Sequence, residues 1–328
     1  MRVYIIRRLL LMIPTVFLVS LIIFFMIRLV PGSIIDIMIA QQIQMSGVAV
    51  DRDYLERELG LDVPVYVQYG RWLGILPNAD GEISGLLQGD FGDSLWSQNP
   101  VIEEIADRWP VTIELGLLAL IVAQCIALPV GIISALRQDS WVDYFARSFA
   151  IVCISVPAFW VGTMVIVFPS IWWGYMPSII YIPLFEDPIG NLKMFIVPAM
   201  VLGMTMSGMT MRMTRTMMLE VLRQDYIRTA WSKGLKEQVV VVRHALKNAL
   251  IPVVTLVGLS LAILVGGTVI IEQIFVLPGM GRLIIDGITQ RDYTVVSGVM
   301  VFFATTMVMA NLLVDLTYGF LDPRVHYK

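Results

Sequence analysis

Charged residues are absent from six long apolar runs, and these runs predict the architecture of the chain. The runs cover residues 9–27, 115–136, 148–185, 194–211, 248–271 and 293–314. A bilayer core about 30 Å thick needs about 20 apolar residues per helix, so the pattern predicts six transmembrane helices. The third run is interrupted from Trp172 to Pro177 by aromatic residues and a turn. We therefore expect one helix over about 149–171, followed by an outer loop.

Composition supports a membrane protein and excludes several other classes. Apolar residues make up 57% of the 328 positions and charged residues 15%, against about 45–50% and about 25% in soluble domains. A net charge of −3 argues against a nucleic-acid partner. The cysteines, Cys125 and Cys153, both lie in apolar runs and suggest no disulfide framework. The first run is longer than the apolar part of a signal peptide, and we expect a retained helix.

The distribution of charge between loops predicts the orientation of the chain. With the N-terminus inside, the inner segments hold 15 basic and 7 acidic residues, and the outer segments hold 8 and 19. This asymmetry predicts that both termini are cytoplasmic. The loop over residues 30–110 carries 4 basic and 13 acidic residues and is expected outside, whereas 212–247 carries 8 and 3 and is expected inside.

Four segments follow from this layout. They are the N-terminal segment with the first span (1–29), an extracytoplasmic loop (30–110), the core with the other five spans (111–319) and a cytoplasmic tail (320–328). In the outer loop we expect a short helix at about 53–58 that ends at Gly60. A second segment begins at Pro64 and carries Tyr66, Tyr69 and Trp72, which suit a membrane surface.

The chain lacks the residue patterns that would let it drive transport or catalyse a reaction by itself. No GxxxxGK[ST] loop occurs, and the middle of every predicted span is free of ionisable residues. Arg28 and Glu114 fall at outer ends of spans and Asp315 at an inner end. His244 and His326 have no zinc-ligand spacing. The sequence therefore predicts neither an enzyme nor a resident cofactor or metal.

A cluster of methionines in the fourth span admits two interpretations: soft-metal passage, or adaptable filling of irregular interfaces. The cluster comprises Met200, Met204, Met206, Met209, Met211 and Met213.

The inner loop contains the most informative pattern. Residues 224–235 predict a short helix ended by Gly234, with Tyr226 and Ala230, and Ile227 and Trp231, paired four residues apart. Such a short helix needs a surface to pack on. That surface is either a partner or the inner ends of the chain's own helices. Ala230 and Gly234 would permit close approach of a partner's backbone, beside a basic rim formed by Arg228, Lys233 and Lys236.

The same loop resembles the cytoplasmic loop of peptide-type ABC importer permeases, of the B-type (dipeptide/oligopeptide) subunit. The resemblance lies in Asp225 to Ala230, then Gly234, then nine residues to the string His244 to Pro252. The general importer pattern is Glu-Ala-Ala, three residues, Gly, nine residues and Ile-x-Leu-Pro. Here Arg228 and Thr229 replace Glu-Ala, His244 replaces Ile and Lys247 replaces Pro. These departures are typical of the peptide subgroup.

The resemblance extends along nearly the whole chain. Its further segments are Arg7-Arg8, Pro31-Gly32, Leu59 to Asp62, Gly89 to Gly92, Ser155 to Pro157, Glu272 to Phe275, Pro278-Gly279, Gly281-Arg282, Arg291 to Tyr293 and Asp322 to Arg324.

The resemblance implies an all-α, six-span type I ABC importer permease in the cell membrane of a prokaryote. It implies a second permease subunit, two ATP-binding subunits that hold ATP and magnesium, and an extracytoplasmic binding protein that delivers peptides. The ATPase-docking residues would be Asp225, Tyr226, Arg228, Thr229, Ala230, Lys233 and Gly234. A gate or substrate-receiving loop would contain Glu272, Gln273, Phe275, Pro278 and Gly279. The alternatives are the same machinery carrying nickel, glutathione or oligosaccharides, and a membrane scaffold without transport.

Overall fold

Helices form almost all of the structure. A computed structural model describes residues 2–29, 35–36, 39, 51–78, 81–174 and 180–321. Its helices are α1 (Arg2–Arg28), α2 (Arg52–Glu58), α3 (Val65–Leu73), α4 (Val101–Leu136), α5 (Trp141–Ser155), α6 (Ala158–Trp173), α7 (Pro188–Leu222), α8 (Asp225–Ser232), α9 (Lys247–Ile274), α10 (Met280–Gln290) and α11 (Tyr293–Leu321). Within these ranges the only β-type pairing is an isolated bridge between Asp93 and Pro100. Pro31-Gly32, the turn at 175–177, Asp322 to Arg324 and His326 lie outside the described residues.

Five stretches of helix are long and apolar enough to cross a membrane. They are Ile6–Arg28, Val101–Leu136, Pro188–Leu222, Glu237–Ser260 and Tyr293–Val314. The pair α5 and α6 makes a sixth candidate if it is counted as one span. These results agree with the predicted all-α membrane fold of six spans.

The single helix predicted over 149–171 is wrong. α5 and α6 meet at a bend of 92°. Pro157 has no backbone N–H, and Val156 before it takes an extended conformation, with φ −86° and ψ 122°. α5 also begins earlier than expected, at Trp141, because the Ser140 hydroxyl accepts a hydrogen bond from the Asp143 amide and caps the helix.

The chain forms two compact units. The first comprises residues 1–8, 109–282 and 306–328, and the second 9–108 and 283–305. In the first unit, α7 packs closely on α4 and α5 at glycines. A Cβ at Gly203 would lie 2.6 Å from the Ala119 carbonyl oxygen, and one at Gly208 would lie 2.8 Å from the Ala150 carbonyl oxygen. Small residues therefore set the distance between these helices.

The methionines of α7 divide between buried and exposed positions. Met211 is buried, and Met204 and Met206 pack against apolar clusters. Met200 and Met209 are 46% and 57% exposed. The buried members pack as the filler interpretation predicts.

The second unit contains both short helices expected in the outer loop. α2 is capped by Asp51, and Gly60 follows it with φ +63°. α3 begins after Pro64, as predicted. The Tyr69 hydroxyl lies 2.9 Å from the Ser20 hydroxyl of α1. The Tyr69 and Trp72 rings lie 5.0 and 5.5 Å from the ring of Phe24, so this face of α3 packs on α1.

Candidate functional site

The predicted loop helix is present as α8, and its ends follow from local backbone chemistry. Asp225 occupies the first turn, where a carboxylate favours the positive end of the helix dipole. The helix ends at Ser232, and the Gly234 amide then donates to the Trp231 carbonyl oxygen at 2.9 Å. Gly234 has φ +77°, a conformation that side chains with a Cβ rarely adopt.

One face of α8 packs on the chain's own helices. Ile227 is fully buried and Ala230 is 7% exposed. Their apolar cluster also contains Ala135, Met218, Val240, Val241, Ala245 and Ala249. Ala230 therefore lies in this intramolecular cluster, and its methyl group does not face outward to a partner. A helix of eight residues needs such a buried face to be stable. Of the two surfaces considered above, the structure shows the second for this face of α8, namely the chain's own helices.

The opposite face of α8 remains exposed. Its exposed residues are Asp225, Tyr226, Arg228, Thr229, Trp231 and Ser232, and the exposed Lys233 directly follows the helix. The Arg228 side chain is 71% exposed and lies 3.8 Å from the Asp225 carboxylate, a contact that contributes little in water. The Tyr226 hydroxyl accepts a hydrogen bond from the Asn248 side-chain amide at 2.8 Å, which fixes the ring against the start of α9. This face therefore offers a positioned aromatic ring beside an available guanidinium group.

Gly234 has no close contact with its own chain. A Cβ added there would meet no heavy atom within 4 Å. The positive φ is sufficient to explain a glycine at this position. Close approach of a partner's backbone at Gly234 stays a prediction.

α8 connects to the fifth predicted span through an irregular helix. One helical turn, Glu237–Val239, leads into a π-helical stretch, Val240–Leu246, which continues into α9. Val240, Val241 and Ala245 of this stretch are buried in the same cluster as Ile227. A displacement of α8 would therefore act directly on the start of α9.

The predicted outer gate is more buried than the sequence suggests. Glu272 is fully buried, and Phe275 is 6% exposed and belongs to an apolar cluster. Gly279 is buried too, whereas Gln273 is exposed and Pro278 is partly exposed. Among the five predicted residues, Gln273 is therefore the most exposed, and a gating or substrate-receiving role of the segment stays a prediction.

A hydrogen-bond network holds this segment in place. The Glu272 carboxylate accepts from the Thr112 hydroxyl and from the Gly281 amide, both at 2.7 Å. The Met280 amide donates to the Thr112 hydroxyl at 2.9 Å. A Cβ at Gly279 would lie 2.3 Å from the Glu272 carboxylate, so glycine is required there. The sequence places Glu272 at a helix end and does not reveal its burial, because its partners lie 160 and 9 residues away.

A second buried carboxylate, Asp143, was not recognised in the sequence. It is fully buried and accepts from Arg215, whose Nε and Nη2 atoms lie 2.7 Å from its two oxygens. The Ser134 hydroxyl donates to the same carboxylate at 2.6 Å and the Asp139 amide at 3.1 Å. This group, which we name the Asp143 clamp, joins α4, α5 and α7 just before α7 leads into α8.

The described residues contain no group of three or more His, Cys, Asp or Glu side chains that could hold a metal ion. Cys125 and Cys153 are both free.

Fold and site together define a helical membrane protein with several spans and, between the fourth and fifth predicted spans, a short loop helix with one exposed face. Residues 127–327 match the family described as binding-protein-dependent transport system inner membrane component, and residues 1–116 match its N-terminal region. The chain belongs to this family of membrane permease subunits, and it carries no nucleotide-binding motif of its own.

Relatives match the chain from end to end. The dipeptide transport system permease protein DppB of Escherichia coli K12 is 38% identical and covers 99% of both chains. DppB of Alkalihalophilus pseudofirmus is 38% identical over the whole of both chains. A protein of Brucella suis biovar 1, provisionally assigned as a peptide transport system permease protein, is 40% identical over the whole of both chains.

Solved structures share the fold. The chain aligns with a structure of the MetNI methionine ABC transporter in an inward-facing conformation, with a TM-score of 0.55 and 15% identity, over 67% of this chain and 97% of that one. A structure of an amino acid ABC transporter aligns with a TM-score of 0.52 and 14% identity, over 66% and 94%. At this identity the likeness concerns the fold alone.

Proposed function

We propose that this chain is a permease subunit of an ATP-driven, binding-protein-dependent importer of di- or oligopeptides. The observation that carries the proposal is α8, an amphipathic helix anchored by Ile227 and Ala230 with an exposed aromatic and basic face. Relatives that are similar along their full length are named as dipeptide transport permeases, which supports peptides as the cargo.

The partners are part of the proposal. A second, similar permease subunit would enclose the path together with this chain, and two ATP-binding subunits would bind ATP and magnesium below it. An extracytoplasmic binding protein would deliver the peptide. The assembled complex, and not this chain, would hydrolyse ATP.

The exposed face of α8 suits a groove on an ATP-binding subunit. Tyr226 and Trp231 would fill apolar depressions, and the Arg228 fork would meet a carboxylate. When ATP closes the motor subunits, α8 would move with them. Its buried face would then pull the end of α7 and the start of α9, because Ile227 packs between them. The driving free energy is the difference in nucleotide affinity between the two states.

Reconstitution of the complete transporter tests the proposal. The complex is placed in liposomes with its binding protein, and ATP hydrolysis and uptake of radiolabelled dialanine are measured for wild type and Arg228→Glu. The charge reversal should weaken retention of the ATP-binding subunit and lower uptake. Arg137→Glu is the matched control, because Arg137 is exposed but lies outside α8.

Two results would contradict the proposal. Full uptake and full retention of the ATPase in Arg228→Glu would remove the docking assignment. Uptake of nickel, glutathione or an oligosaccharide in place of dialanine would leave the permease assignment intact and overturn the cargo.

A further inference from the structure

A cavity of about 460 Å³ lies within the second unit, beside the C-terminal end of α1. Residues from α1, the end of α2, the connection between α2 and α3, α3, the 84–92 segment and the start of α11 line it. The rings of Phe24, Trp72 and Phe91 contribute apolar walls. None of the lining residues belongs to α8 or to the Glu272 network.

The charge of this cavity is predominantly basic. Arg28, Arg57 and Arg71 line it, against the single carboxylate of Asp90 among the described lining residues. That carboxylate is already engaged, because it accepts from the Gly92 amide at 2.8 Å and from the Ser84 hydroxyl. Three guanidinium groups therefore face the cavity, and acidic side chains of the described residues compensate their charge little.

The arginines lack carboxylate partners within the described ranges of the chain, where no acidic oxygen lies within 4 Å of them. Arg28 lies over the ring of Phe24, 3.5 Å from its centroid, and its terminal nitrogens donate to the neutral oxygens of the Phe24 carbonyl and the Gln68 side chain. The Arg57 Nε atom donates to the Asp53 carbonyl oxygen at 3.0 Å, and its two terminal nitrogens have no hydrogen bond to a described residue. The Nε atom of Arg71 is buried and has no hydrogen-bond partner among the residues that the structure describes. A buried donor on a charged group without an acceptor is costly, which indicates that a ligand supplies the acceptor.

The position of the cavity identifies the class of ligand. Guanidinium forks bind phosphate and carboxylate oxygens in pairs. Arg28 directly follows the apolar run 9–27, which places it at the depth of lipid headgroups. Basic residues at that depth attract anionic lipids. The aromatic walls suit the glycerol and the first methylene groups below a headgroup.

We propose that this cavity binds the phosphate group of an anionic phospholipid at the membrane surface. The lipid would connect α1 to the outer loop helices by neutralising the arginines that both provide. This proposal does not depend on the cargo or on the docking role of α8.

Native mass spectrometry of the full-length chain tests the proposal. The chain is purified from nanodiscs of phosphatidylcholine alone or with phosphatidylglycerol, and the retained lipids are counted. We expect selective retention of phosphatidylglycerol, weakened about fivefold by Arg71→Gln and by Arg57→Gln. Arg52→Gln is the matched control, because Arg52 is exposed, pairs with Asp36 and Glu56 and does not line the cavity. Arg71→Lys keeps the charge and should retain more lipid than Arg71→Gln.

Competition experiments separate the possible sources of the anion. Inorganic phosphate at millimolar concentration should displace phosphatidylglycerol only weakly. Equal retention of phosphatidylglycerol by wild type and both glutamine variants would overturn the proposal. The proposal would also be overturned if inorganic phosphate bound to the wild type while the chain retained no lipid selectively. Displacement of the lipid by dialanine would overturn it too. Either result would assign the arginines to a ligand other than a lipid phosphate.

Discussion

The Asp143 clamp should contribute strongly to stability, and Asp143→Asn tests this directly. The substitution keeps the shape of the side chain but removes its negative charge. In the wild type, the Nε and Nη2 atoms of Arg215 each lie 2.7 Å from one oxygen of this carboxylate. Breaking a buried ion pair typically costs about 3–5 kcal/mol. The Arg215 side chain retains 20% exposure, so water screens part of its unpaired charge. We therefore expect a loss of about 2–3 kcal/mol for Asp143→Asn.

The partner substitution should be more severe. Arg215→Gln leaves a fully buried carboxylate with only the Ser134 hydroxyl and the Asp139 amide as donors. We expect it to cost about 3–5 kcal/mol. The double variant Asp143→Asn with Arg215→Gln removes both charges and should lose clearly less than the sum of the two, with a coupling free energy of about 2 kcal/mol.

The measurement is the free energy of unfolding of the full-length chain in mixed micelles, titrated with sodium dodecyl sulfate and followed by circular dichroism. Arg147→Gln is the matched control. Its guanidinium also approaches Asp143, but at 3.9 Å and with 46% of the side chain exposed. It should cost about 0.5 kcal/mol or less. If the two clamp substitutions add within about 0.5 kcal/mol, the two residues act independently and the reasoning is refuted.

Three further predictions concern packing and backbone geometry. Gly203→Ala should lower the free energy of unfolding by about 1–3 kcal/mol, because the added Cβ would meet the Ala119 carbonyl oxygen. The control Gly266→Ala places its Cβ in open space and should be nearly neutral in the same titration. Thr112→Val should cost about 1–3 kcal/mol by depriving Glu272 of a donor; a loss no larger than that of Thr112→Ser would contradict this. Gly234→Val should strain α8's end by roughly 1–2 kcal/mol and reduce peptide uptake per ATP hydrolysed, and Gly234→Asn, which tolerates positive φ, should retain more of it.

The apolar runs predicted the helical class, and the pairs four residues apart together with Gly234 predicted the loop helix and its end. Both succeed because they depend on local features. Charge-free runs are a requirement of the bilayer, and a glycine with φ +77° ends α8 whatever surrounds it. The apolar run 148–185 predicts a continuous helix through Pro157, whereas the structure breaks it there. The bend shows that a missing backbone donor overrides hydrophobic continuity.

The faces of α8 could not be assigned from the sequence. Tyr226, Ile227, Ala230 and Trp231 form two plausible pairs at helical spacing, and both adjacent faces have apolar character. The structure buries Ile227 and Ala230 and leaves Tyr226 and Trp231 more than 40% exposed. That choice depends on where α4, α7 and the start of α9 supply apolar surface, which no local pattern encodes.

The sequence by itself determined that this chain is a membrane-embedded helical protein without its own nucleotide site, because those properties follow from composition and local spacing. The tertiary structure alone decided that Glu272 and Asp143 are interior carboxylates and that three arginines share one cavity. Thr112 lies 160 residues from Glu272 in the chain, and Arg215 lies 72 residues from Asp143. The three arginines come from three separate helices. Burial and pairing are properties of the folded arrangement, since a charge becomes costly or useful only once the chain removes it from water.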